Sequence, residues 1–258
     1  MMNPTRHNWT ERSSFRELFR AKSAANRLNF LPTSLVLLFA LPWGLAILPL
    51  LSARAQAARS MPGSARAGDG ATITFRKIFK SSYPEFVEIK VRESGSGTFD
   101  IRQLDEEANP QPFEIGAPLL QKILDLTGKL HDFQGVDLEV HRRLANLGEK
   151  TFGYQKGGET HEVTFNYTLD SSATQLLNIF EGLSREESDL SDLQRTMRYD
   201  HLGVNDVLVQ IDADYNNKLL PEPERFLTTL DRLAEDQKYI DIARERARTL
   251  AGRIRISR

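Results

Sequence analysis

The apolar residues of this chain change their period along its length, and that change limits the folds open to it. Between Thr72 and Thr168 most of them alternate with polar residues, whereas from Leu176 onward they recur every third or fourth position. Period two sends alternate side chains to opposite faces of a strand, and a period near 3.6 gathers them on one side of a helix. Ile73 and Phe75 alternate with threonines, predicting a strand over about 72–79. Val87, Ile89 and Val91 alternate with Glu88 and Lys90, the pattern of a strand with one wet face. Glu93 to Gly97 is turn-forming, and Thr98 to Arg102 returns as its partner. Strands first and helices second predict an α+β fold, with an antiparallel sheet of four or five strands in the N-terminal half packed by a helical C-terminal half.

The sharpest local signal is a hairpin. Thr151 to Gln155 forms one arm, Lys156-Gly157-Gly158-Glu159 the turn, and His161 to Thr168 the other arm, with Val163, Phe165 and Tyr167 on one face. Two glycines supply the positive dihedrals that a tight hairpin turn requires. One helix interrupts the strands: Leu119, Ile123, Leu126, Leu130 and Phe133 form an apolar stripe, with Pro118 in its first turn. Residues 103–114 are acidic and hold Pro110 and Pro112, so they read as a loop. Residues 134–149 leave a short strand at Asp137–Val140 and a turn at Leu147-Gly148 as options.

Further on, Leu176, Leu177, Phe180 and Leu183 mark a helix. Leu190, Leu193 and Met197 mark its continuation or a neighbour capped by Ser184. His201-Leu202-Gly203 breaks the pattern. Val204, Val207, Leu208 and Ile211 give a short helix reaching about Tyr215, and Pro221 and Pro223 precede the next. A last helix spans about 238–253, with arginines toward its C-terminal end, where the helix dipole favours them.

The N-terminal segment has a different composition. Residues 1–29 are basic, residues 30–51 are uncharged and apolar-leaning, and Ala55-Gln56-Ala57 follows as a small-x-small site. That order is the order of a secretory signal cleaved after Ala57. The competing reading is a retained anchor, since 22 residues are enough to cross a hydrocarbon core of about 30 Å as a helix. Pro32, Pro42 and Pro49 weigh against a continuous helix there. The domain plan is thus a signal peptide or anchor over 1–57, a Gly/Ser/Ala-rich leader over 58–70, one α+β domain over 71–253 and a tail over 254–258. Either N-terminal reading exports the domain to the periplasm or the outside, with membrane contact only through residues 30–51 if they are retained.

The formal charge of −1 is the balance of +5 over residues 1–57 and −6 over the rest. An acidic exported domain is a poor partner for nucleic acid. The chain has no cysteine, which excludes disulfides, thiolate metal sites, a cysteine nucleophile and a lipid-modified N-terminal cysteine. His131, His141, His161 and His201 show no metal-binding spacing. Asp212, Asp214 and Asn216 imitate the first three ligands of a calcium loop, with Leu219 at its apolar eighth position. Asn217 replaces the glycine and Pro223 the closing glutamate. Asp105-Glu106-Glu107, and Glu186-Glu187 with Asp189 and Asp192, are dense in carboxyls but read as solvated runs. No nucleotide-binding or serine-elbow fingerprint occurs, and no cofactor is implied. Tyr83, Phe86, Phe152, Tyr154, Phe165 and Tyr167 recur on strands that can neighbour one another. They serve either as cross-strand pairs or as a recognition face for a peptide, lipid or glycan.

The segments FRKIFKSSYPEFVEIKVRESGSGTFDIR, EKTFGYQKGGETHEVTFNYT and RYDHLGVNDVL resemble a group of uncharacterised exported bacterial proteins of acidobacterial type. The resemblance covers most of residues 72–253 and implies export without implying an activity. The opening strand–bend–strand is also similar to a small uncharacterised domain of bacterial lipoproteins, which carries cysteine where this chain has Ser81 and Ser82. The expectation is an exported envelope protein acting as a non-catalytic binding or interaction module, with an envelope protein, peptide or glycan as partner. The alternative is a periplasmic or secreted hydrolase whose site assembles from separate elements.

Overall fold

The computed structural model describes residues 70–257. The predicted signal or anchor, the Ala55 and Ala57 cleavage site and residues 58–69 of the leader lie outside them. Among the described residues no helix is long and apolar enough to cross a membrane.

Among the described residues six strands form one antiparallel sheet: β1 Thr72–Ile78, β2 Phe86–Arg92, β3 Ser96–Arg102, β4 Gln111–Glu114, β5 Glu149–Lys156 and β6 Glu159–Phe165. Their order is β4-β3-β2-β1-β5-β6, which makes the first strand central. Register follows from the alternation. Phe99, Ile89, Phe75, Phe152 and Val163 lie side by side across five strands, forming one row of the inner face. The adjacent row, Asp100, Glu88, Arg76, Thr151 and Thr164, is polar and belongs to the outer face. A slip of one residue would exchange the two rows, so burying the first fixes the register. Gly157 and Gly158 both adopt positive φ at the β5–β6 turn, as the hairpin requires.

The sheet has one strand more than the four or five expected. The addition, β4, lies in the segment read as a loop because of its prolines. It pairs only with β3, with Pro112 opposite Thr98. At a sheet edge the missing proline N–H breaks no ladder, so proline does not exclude a strand there. Asp137–Val140 does not form a strand.

Among the described residues five α-helices accompany the sheet: α1 Ala117–Lys129, α2 Ser171–Tyr199, α3 Val204–Asn216, α4 Leu227–Glu235 and α5 Asp241–Ile256. A 3-10 turn, Pro223–Phe226, leads into α4. Asp170 starts α2 by accepting the Ala173 N–H at 2.8 Å, an N-cap. Ser184 does not begin a new helix; its carbonyl accepts the Ser188 hydroxyl one turn on, at 2.9 Å, and α2 continues for 29 residues.

That length, roughly 43 Å at 1.5 Å per residue, lets α2 serve two apolar clusters. Ala173, Leu176, Phe180 and Leu183 pack with α1 against the inner face of the sheet. Here Phe180 stacks on Phe75 at 5.3 Å, and Phe152 contacts Phe165 at 5.2 Å. Leu193 and Met197, at the far end, pack with Val204, Leu208, Leu230 and Leu250 of the helical half.

Candidate functional site

Between its two apolar stretches α2 carries carboxyls on the same inward stripe. From Leu183, steps of three, four, seven and ten residues reach Glu186, Glu187, Leu190 and Leu193, so helical period alone turns both glutamates toward the interior. Glu186 is 0% exposed and accepts the Glu222 N–H at 2.5 Å, with Arg225 3.6 Å away. Glu187 is paired with Arg225. Glu222 in turn accepts the N–H of Gly116, the residue preceding α1, at 2.7 Å. Three buried carboxyls thus surround one guanidinium at the seam between the two clusters, fastening α1 and the 3-10 turn to the middle of α2. Burial pushes all three above the usual carboxylate range, and carries Glu186 up to about 8.

Beside this seam a cleft of about 360 Å³ opens between the end of the sheet and helices α2 and α3. Phe75, Phe79 and Val87 give it an apolar wall, and Ser184, Ser188, Asp189 and Asp214 belong to the opposite, polar wall. The bend between β1 and β2 forms its rim. Ser82 Oγ lies 2.6 Å from the Phe79 carbonyl and 2.5 Å from that of Pro84, and the Ser81 N–H donates to Glu85 at 2.6 Å. The bend is therefore internally bonded while it presents Tyr83 at 93% exposure. Lys77 and Glu181 pair at 2.7 Å on one side of the cleft.

The polar wall contains a second buried carboxyl pair, contributed by two helices. Asp214 receives Gln210 Nε2 at 2.9 Å and lies 3.5 Å from Arg185. Burial, then the neighbouring Asp214, push Asp189 up to about 7. A carboxyl titrating near neutrality beside another carboxyl can hold or release a proton, or meet a cation.

The residues singled out in the sequence are distributed differently from what their spacing implied. Asp212, Asp214 and Asn216 lie inside α3, not in a loop. Asp212 and Asn216, one turn apart, both engage Arg253, whereas Asp214 is turned into the cleft wall by its offset of two residues. The calcium-loop reading is corrected accordingly, because a helix separates neighbours that a loop would converge. Among the described residues no group of three or more His, Asp or Glu side chains is placed to hold a metal ion. The six aromatics do not make one recognition face. Phe152 and Phe165 are core; Phe86 lies under Arg102, 4.3 Å from the ring centroid; Tyr154 stacks on His161; and Tyr167 lies beyond the end of β6. Of the six, only Tyr83 borders the cleft.

Asp105, Glu106 and Glu107 are exposed, as a solvated run should be. Glu186, Glu187 and Asp189 are buried, which corrects the same reading for them. The signal for the two glutamates was present: they occupy positions in phase with Leu183, Leu190 and Leu193, where a solvated helix start would not place acids.

No family model matches the chain, and no curated protein matches it.

Proposed function

We propose that this is an exported, non-catalytic binding module that holds its ligand in the cleft between the β1–β2 bend and helices α2 and α3. The observation that carries the reading is the cleft itself: a concave site of about 360 Å³ with an apolar wall from the sheet and a polar wall from two helices. Ligand sites commonly have this composition, with apolar area giving affinity and a few polar groups giving orientation. Export rests on the basic, apolar and small-x-small order of residues 1–57 and on the resemblance to exported bacterial proteins. Cell fractionation with N-terminal sequencing tests it, and a mature chain starting at Ala58 is the expected product.

The binding reading is tested by thermal shift against a panel of amines, short peptides and glycans. A ligand of the native state must raise the melting temperature. Ser188→Trp, which fills the cleft, should remove that rise, and a rise undiminished by it would place binding elsewhere. One observation favours the hydrolase alternative: Asp189, raised toward neutrality beside Asp214, has the character of a general acid. Turnover of an ester, glycoside or peptide substrate that disappears in Asp189→Asn would establish that alternative.

A further inference from the structure

We propose that the ligand of this cleft presents a primary ammonium group on an aliphatic chain, bound by the Asp189 carboxyl with the chain laid along the apolar wall. The inference rests on the cleft being a binding site and names the chemistry it selects.

The charged side chains of the cleft are paired with one exception. Lys77 is bound to Glu181 and Arg185 to Asp214. Asp189 has no ion-pair partner among the described residues, and its Oδ2 has no donor although the residue is only 9% exposed; its carboxyl neighbour Asp214 can bond to it only through a proton held between them. A carboxyl in that position requires either a proton or a cation. With two cationic and three acidic side chains in the lining, ionised Asp189 leaves one negative charge in excess, and a single positive group cancels it. Two carboxyls are too few to form a resident metal site, whereas an ammonium needs only acceptors. Ser188, one residue from Asp189, gives its hydroxyl proton to the Ser184 carbonyl at 2.9 Å and so keeps its oxygen lone pairs for an incoming N–H. Phe79, Val87 and Pro84 offer the alkyl stem an apolar track, and the exposed Tyr83 ring at the rim can cover it.

Burial is the first cause that favours the Asp189 proton; among the surrounding groups Asp214 from α3 also favours it, and Arg185 and Asp192 from α2 oppose each other. Lys77 and Glu181 face the same cleft as a closed pair. An ammonium ligand must displace the proton that Asp189 holds, so binding strengthens as pH rises. Asp189 titrates near 7, so its ionised fraction, and with it the association constant, grows about tenfold from pH 6 to pH 8.

Calorimetric titration of the full chain tests this with three probes: cadaverine as a free amine, acetyl-Ala-Lys-Ala-amide as a lysine side chain, and its uncharged norleucine counterpart. At least one cationic probe should bind, about tenfold more tightly at pH 8 than at pH 6, with release of close to one proton at the lower pH, and the norleucine peptide should bind at least tenfold more weakly. Whichever cationic probe is tighter separates a small amine from a peptide as the source. Asp189→Asn should lose at least tenfold in affinity at pH 8 together with the pH dependence. The pH dependence of the unmutated protein decides the matter even if that variant does not fold. Failure of both cationic probes to bind, equal binding of the norleucine peptide, or unaltered binding in Asp189→Asn overturns the proposal. A neutral or anionic ligand excluded by Ser188→Trp but indifferent to Asp189→Asn would overturn this inference alone and leave the cleft standing as a binding site.

Discussion

Glu186→Gln is the most informative stability variant, because it separates a buried neutral acid from a buried ion. Glu186 lies fully buried at the seam, and burial raises its carboxyl from the ordinary 4.5 to about 8. Between those values the folded protein retains a proton that the unfolded chain gives up. The stability supplied by the protonated group is complete below the unfolded value and is lost as pH rises toward the folded one, at about 1.4 kcal/mol per pH unit. From about pH 5 to about pH 7.5 the loss from this one group is roughly 3 kcal/mol. Glutamine has the shape of the protonated acid, keeps an acceptor for the Glu222 N–H at 2.5 Å, and does not titrate. Urea unfolding of the purified protein should therefore find Glu186→Gln within about 1 kcal/mol of the parent near pH 5 and about 3 kcal/mol more stable near pH 7.5. The opposite result has a definite physical meaning. If Arg225, 3.6 Å away, held Glu186 as an ion, the amide would leave the guanidinium undercompensated. The variant would then be destabilised by about 3–5 kcal/mol near pH 7.5. Either that loss or a pH slope identical to the parent's would mean that Glu186 is not a buried neutral acid.

Four other substitutions test the packing and the capping of α2. Phe152→Ala, which removes a ring touching Phe75, Phe133, Phe165 and Phe180, should cost about 3–5 kcal/mol in the same urea assay, whereas Tyr83→Ala should stay within about 0.5 kcal/mol. Equal costs would mean that the two aromatics share one environment after all. Gly182→Ala puts a Cβ 2.7 Å from the Pro221 ring carbons and 2.9 Å from the Leu219 carbonyl oxygen, so a loss of about 1–3 kcal/mol is expected; a neutral result would show that the 219–221 turn can yield. Asp170→Ala removes the cap of α2 and should lower stability by about 1 kcal/mol, read as a shift of the urea midpoint without a change in slope.

Local patterning disclosed most of the fold. Each strand with strict alternation lies within three residues of its predicted limits, the largest departure being β6, which stops at Phe165 instead of Thr168, and the Gly157-Gly158 turn joins the expected arms. Patterning failed where tertiary position overrides local chemistry. Pro112 is a strand breaker by local chemistry, but at the edge beyond β3 its missing donor faces no partner. Asp212 and Asp214 fall within the helix that the apolar spacing predicts to about Tyr215, so residue types that match a calcium loop do not converge as one. The acids of α2 are the instructive case. Carboxyls are ordinarily solvated, but Glu186 and Glu187 lie in phase with Leu183, Leu190 and Leu193, so the helical period outweighs residue type there. Asp189 became a site residue only when α3 brought Asp214 beside it from 25 positions away, a juxtaposition that no local period encodes.

An amide-resolved NMR titration of the ¹⁵N-labelled protein with the lysine peptide locates the proposed ligand site in the cleft under the β1–β2 bend. Binding in the cleft shifts only Phe79–Pro84 of the bend, Ser184–Asp189 of α2 and Gln210–Asp214 of α3, and the shifts grow between pH 6 and pH 8. Shifts centred on the outer sheet face around Arg76 and Glu88, or on the arginine-rich face of α5, would contradict it.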